Sequence, residues 1–132
     1  MTTVGVLRET AAGERRVALT PHGAGRLAKQ GVHALVESGA GAAAFFPDEA
    51  YHAAGAMTAT RHQVYSGSDV VVCVAPPDDA GSMRPGAMLV GLLGFAGHPE
   101  SAGRLADAGV TAVSLELLPR TLSRAQAMDA LS

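Results

Sequence analysis

The chain predicts an α/β fold: a doubly wound, mostly parallel open sheet with helices on both faces. Three observations carry that prediction. Short Val- and Leu-rich runs alternate with helix-period segments along the whole chain, which is the pattern of strand–crossover–strand units. The run Asp69-Val-Val-Val-Cys-Val-Ala75 is apolar at successive positions, which suits a strand covered on both faces of a parallel sheet. Thr20-Pro21 and Gly31 bracket one segment, as a capping hydroxyl, a first-turn proline and a terminating glycine bracket a helix.

Taken in order, residues 3–7 read as a short buried strand and 8–16 as a polar loop. A helix runs over 21–30 and a second strand over 32–37. Residues 39–46 form a Gly/Ala connection. Pro47-Asp48-Glu49 opens a helix that ends at Gly55, because acidic groups favour a first turn. A short strand follows at 56–59 and a weak helix at 60–66. The strand at 69–75 leads to a helical turn at 78–83, a strand at 87–93, a helix at 99–108 ended by Gly109, and a last strand at 110–115.

A length of 132 residues fits one domain with one core. Ten basic and 12 acidic residues are well mixed, for a net charge of −2. That argues against nucleic acid, which favours a basic patch, and against direct contact with an anionic membrane. No run approaches the roughly eighteen apolar residues of a membrane span. The N-terminus enters a strand pattern directly, without the charged and apolar regions of a signal peptide. The single Cys73 has no internal disulfide partner, so a reducing cytoplasm is the expected compartment.

In such sheets ligands bind beyond the carboxyl ends of the strands, so the loops 8–20, 38–47, 76–78, 94–98 and 116–123 are the places to look. Gly39-Ala-Gly41-Ala-Ala-Ala44 fits the spacing G-x-G-x-x-A, but Phe45-Phe46-Pro47 separates it from the next helix. A dinucleotide fingerprint needs its helix to start at the glycine turn, so that the N-terminus meets the pyrophosphate. The stretch therefore reads as a close-packed turn, and the sheet as Rossmann-like without the fingerprint. Arg15 and Arg16 can form a bidentate anion site; equally, one pairs with Glu14 or Glu9 while the other is solvated. The five His residues are scattered without metal-ligand spacing; His98 alone stands near a site edge, beside Pro99. Cys73 reads as a small core residue, and Asp78-Asp79 as a helix N-cap and first turn. In the closing segment, Ser123 can cap a helix along which Gln126, Asp129 and Ser132 recur on one side. With Arg120 and Arg124 upstream, that side either hydrogen-bonds a polar ligand or is a solvated face.

Four stretches carry a resemblance: Glu-Arg-Arg-Val-Ala-Leu-Thr-Pro at 14–21, Val-Glu-Ser-Gly-Ala-Gly at 36–41, Val-Ala-Pro-Pro at 74–77, and Pro-Arg-Thr-Leu-Ser-Arg-Ala-Gln-Ala-Met-Asp-Ala-Leu-Ser at 119–132. Together they resemble the N-terminal domain shared by alanine dehydrogenases and the α subunit of proton-translocating nicotinamide nucleotide transhydrogenase. The last stretch looks most like the transhydrogenase. The resemblance implies an oxidoreductase that moves hydride between NAD(H) and NADP(H), coupled to proton passage through separate membrane subunits. Arg120, Arg124, Gln126, Asp129 and Ser132 are the cofactor-binding residues it implies, although this chain has one residue more between Arg120 and Ser123 than the family pattern. NAD(H) itself is then bound mainly by a C-terminal domain absent from this chain, so residues 1–132 are expected to be an N-terminal domain cut before it. The implied partners are that domain, the membrane and NADP(H)-binding subunits, and a second copy in a homodimer. The implied location is cytoplasmic, peripheral to the inner membrane through those subunits.

The alternative is an alanine dehydrogenase-like amino acid dehydrogenase. Those enzymes resemble this chain but carry a catalytic Lys in a Lys-Val-Lys stretch and a catalytic His after the next strand. Here stand Cys73-Val74-Ala75 and Leu93-Gly94-Phe95, and the only lysine is Lys29. Proton transfer to an amino or keto acid lacks its acid/base groups. No catalytic residue is therefore expected in this chain, and Arg16, a substrate-carboxylate ligand there, is expected to be structural here. A non-enzymatic interaction module is the remaining reading.

Overall fold

A computed structural model describes residues 2–93 and 99–115, with only the backbone of 99–102. Six strands, β1 (Thr3–Val6), β2 (His33–Glu37), β3 (Met57–Ala59), β4 (Val70–Val72), β5 (Met88–Gly91) and β6 (Thr111–Ser114), form one sheet in the order β3-β2-β1-β4-β5-β6. Every pairing is parallel. The doubly wound prediction holds, and the sheet is parallel throughout rather than mostly so. The order reverses between β1 and β4, which makes the carboxyl end of that pair the topological switch point.

Among the described residues four helices cover the sheet: α1 (Pro21–Lys29), α2 (Asp48–Ala53), α3 (Arg61–Gly67) and α4 (Pro99–Asp107). The Thr20 hydroxyl accepts from the Gly23 N–H at 3.1 Å and starts α1 as its sequence predicts. α3 is better specified than a weak helix. Thr60 accepts from Gln63 N–H, and the Gln63 side chain accepts from Thr60 N–H at 2.9 Å. This reciprocal capping box satisfies two orphan donors.

Alternating side chains along the strands feed two core clusters rather than the one core expected from length. Val6, Val36 and Tyr51 pack with Ala24 and Ala34 in the cluster served by α1 and α2. Leu7, Val64, Val71, Leu89 and Leu105 pack in the cluster served by α3 and α4. The adjacent residues Val6 and Leu7 fall in different clusters, as strand alternation requires. Tyr51 is fully buried and donates its hydroxyl to Leu19 O at 2.7 Å, which gives the polar tip a partner. Among the described residues no helix is long and apolar enough to cross a membrane.

Candidate functional site

The site is built at the carboxyl edge, where the loops after β1, β2 and β4 meet. β1 leaves the sheet after Leu7, whose N–H still donates to Val72 O at 3.4 Å. Beyond that point the amides of Val74 and Ala75 face a departed strand. Glu9 reaches back and fills the gap. Its two carboxylate oxygens accept from Val74 N–H and Ala75 N–H, each at 2.9 Å. A side chain has replaced a strand as the hydrogen-bond partner, because buried amides must be paired.

Arg61, in the first turn of α3, joins three strand ends. Its guanidinium donates to Glu37 at the end of β2 (2.8 Å), to Arg8 O after β1 (3.2 Å), and to both oxygens of Asp79 after β4 (2.8 and 3.0 Å). Tyr65, one helical turn on, donates its hydroxyl to Asp79 at 2.5 Å. The Arg61 fork holds the Asp79 carboxyl down to about 2, and the Tyr65 bond adds to it. Burial, first of all, pushes the Tyr65 phenol above its ordinary range. Arg61, Glu37 and Asp79 thus form a knot in which one cation is shared by two carboxylates.

The knot corrects one expectation. Asp79 stands at the N-cap position of a 3₁₀ turn (Ala80–Ser82) but makes no capping bond. A bidentate, charge-assisted bond to a guanidinium outweighs a single bond to one exposed amide, and only the tertiary fold brings Arg61 into reach.

The Arg15–Arg16 loop resolves into its plainer alternative. Arg16 binds Glu14 through Nε (3.0 Å) and a terminal nitrogen (2.8 Å), while Arg15 is exposed. The Arg16 hydrogen bonds hold the Glu14 carboxyl down to about 2. The Gly39–Ala44 stretch is the close-packed turn its context predicts. Gly39 takes a left-handed φ of +83°, and a Cβ on Gly41 would meet Phe46 O at 2.7 Å. Asp48 accepts from Ser38 Oγ (2.6 Å) and Gly39 N–H (3.0 Å), so a carboxylate of the chain lies where α2 begins. Cys73 is buried, and burial pushes its thiol up to about 12, which leaves it unreactive at neutral pH.

Two hollows lie along this edge among the described residues. One, of about 110 Å³, lies at the switch point between Leu7–Ala11, Arg61 and Cys73. The other, of about 420 Å³, lies beside the ends of β4 and β5, with Leu89, Leu93 and Leu105 on its wall and Asp78 and Arg104 beside them. The buried Ser114 hydroxyl accepts from Leu93 N–H at 3.1 Å and pins the point where β5 ends.

The model of the alanine dehydrogenase/PNT N-terminal domain matches residues 5–132. The chain belongs to that family. The α subunit of NAD(P) transhydrogenase from Cereibacter sphaeroides is 40% identical over 132 residues, covering 98% of this chain and 25% of the relative. Alanine dehydrogenase from Bacillus subtilis is 41% identical over 115 residues, covering 86% of this chain and 30% of the relative. The crystal structure of transhydrogenase from Sinorhizobium meliloti superposes with a TM-score of 0.90 at 32% identity, covering 96% of this chain and 38% of that one. The chain therefore spans between 25% and 38% of the length of these relatives. Within the family, both kinds of relative are oxidoreductases by name.

Arg120, Arg124, Gln126, Asp129 and Ser132 all lie outside the described residues, as do Glu116, His98 and the cap at Ser123. The structure brings together instead Glu9, Glu37, Arg61, Tyr65 and Asp79; sequence reasoning weighed Glu9 only as a partner for an arginine and Asp79 only as part of a cap, and passed over the other three. Only Thr60-x-x-Gln63, which places Arg61 at the head of a capped helix, was a local signal for any of them.

Proposed function

We propose that this family member is the N-terminal part of the NAD(H)-binding α subunit of a proton-translocating NAD(P) transhydrogenase, and that it supplies one wall of the NAD(H) cleft. One observation supports this over the alternative: among the described residues that line the switch-point crevice there is no Lys and no His. Cys73 is buried with its thiol raised, Glu9 is tied to two amides, and Arg61 is tied to two carboxylates. Ala75 stands in the Lys-Val-Lys position that resemblance assigns to amino acid dehydrogenases. Hydride transfer between nucleotides needs alignment and exclusion of water rather than a protein acid or base. The likeness of the transhydrogenase relative over 98% of this chain, against 86% for the alanine dehydrogenase, agrees with it.

The described residues do not fit a dinucleotide by themselves. The glycine turn is separated from its helix, and the amides at the end of β4 are taken. The NAD(H) pyrophosphate is therefore assigned to a further domain, and Gln126 and Asp129, with Arg120 or Arg124 and Ser132, to the nicotinamide amide and ribose. Membrane and NADP(H)-binding subunits, a homodimer and a cytoplasmic position beside the inner membrane belong to the same reading.

Two experiments test it. Calorimetry on the 132-residue chain should give only very weak NADH binding; tight binding overturns the division of labour. A longer polypeptide carrying this domain, combined with an NADP(H)-binding subunit, should move hydride from NADH to an NADP⁺ analogue. Alanine-dependent NAD⁺ reduction by that polypeptide would support the dehydrogenase instead.

A further inference from the structure

We propose that the paired amides of Val74 and Ala75 form a carboxylate-binding cradle at the switch point, and that Glu9 is its built-in occupant. Both carboxylate oxygens of Glu9 are engaged, one by each amide, at the same 2.9 Å. Two adjacent N–H groups turned to one side select a planar two-oxygen anion, as anion-binding nests do. The ligand is delivered by a loop 65 residues away in sequence, so the contact is tertiary and not a local turn. The hollow of about 110 Å³ beside it, between Leu7 and Cys73, is room for a small carboxylate and not for a nucleotide.

The cradle lies where an open α/β sheet ordinarily takes its ligand. With Glu9 in place, the amides of Val74 and Ala75 are not free for a phosphate or another carboxylate. The amide pair is closed from within, and a ligand of this domain must be held by other groups of the carboxyl edge. The Arg61 knot shuts the same crevice from the β2 side, since its cation is already matched by Glu37 and Asp79. This holds whatever reaction the whole protein catalyses.

The test needs no turnover, so its failure leaves the transhydrogenase reading untouched. In the full chain, hydrogen exchange followed by NMR should show the Val74 and Ala75 amides slowed by about 100-fold or more, although neither lies within β4. Glu9→Ala should lower the thermal midpoint by about 4 °C or more. Sodium acetate should then raise that midpoint saturably, as a ligand of the folded state does, while sodium chloride at equal ionic strength does not. The parent should show no acetate-specific rise, because its cradle is filled. Glu9→Gln, which keeps the shape but leaves one acceptor oxygen and no charge, should speed exchange of at least one of the two amides and still ignore acetate. Fast exchange in the parent overturns the proposal, and so does an acetate response of Glu9→Ala no larger than that of chloride or of the parent. If Glu9→Ala does not fold in either salt, unchanged amide protection in Glu9→Gln overturns it alone.

Discussion

At the carboxyl ends of β1, β2 and β4, charged side chains find partners within the chain: Arg61 binds Glu37 and Asp79, and Glu9 accepts from two amides. At the carboxyl end of β5 the same sheet presents Leu89 and Leu93 to a hollow of about 420 Å³. The first region closes itself. These groups are engaged within the chain, so they hold the loops in place and are not free for a ligand. The second has an apolar wall, with Asp78 and Arg104 beside it, on the side of the sheet where β6 ends. The comparison teaches that the usual ligand position of this fold has been turned into structure here, and it moves attention to the β5–β6 end. There the chain continues toward the segment that carries Gln126 and Asp129.

The largest effect expected from breaking this contrast is on the apolar side. Leu89 is fully buried, so Leu89→Ala should cost about 3 kcal/mol of unfolding free energy in urea titrations, through lost burial and an added cavity. On the polar side, Arg61→Met should cost about 2–3 kcal/mol, because it leaves Glu37 and Asp79 without their shared cation. The same variant should let the Asp79 carboxyl climb from about 2 toward the ordinary value of about 3.9, as carbon-detected NMR titration would show.

A pH profile sharpens the point. The Asp79 carboxyl is depressed in the folded chain, so its contribution is complete above the unfolded value and is lost as pH falls toward about 2. The parent should therefore lose stability over that acid window, and Arg61→Met should lose less of it. Tyr51→Phe should cost about 1 kcal/mol, the net worth of one buried bond to Leu19 O. Arg16→Ala belongs at the small end. Its pair with Glu14 is exposed and screened, so the thermal midpoint should not move measurably, while the Glu14 carboxyl rises from about 2.

Most of the scaffold was legible. Thr20-Pro21 and Gly31 mark α1 because caps act through hydrogen bonds three residues long, and such bonds are written in local sequence. The strand around Val71 was legible because a parallel strand covered on both faces has no polar side to show. The box Thr60-x-x-Gln63 was equally local, yet a helix so short reads weakly by periodicity alone. Asp79 was misread for the opposite reason. Its local role as a cap was available, but Arg61, 18 residues earlier, competes for the same oxygens and wins with two charged bonds. Glu9 could be weighed from sequence only as a partner for a nearby arginine; nothing near it shows that β1 departs from β4 at Leu7.

What the sequence determined by itself is the alternation of elements, the two-sided burial of the central strands and the family, because these follow from periodicity, caps and motifs within short windows. What only the tertiary structure decided is which charges meet at the carboxyl edge. Parallel pairing brings the ends of β1, β2 and β4 together from residues 7, 37 and 72, and the partner of a carboxylate is then set by proximity in space, on which spacing along the chain is silent.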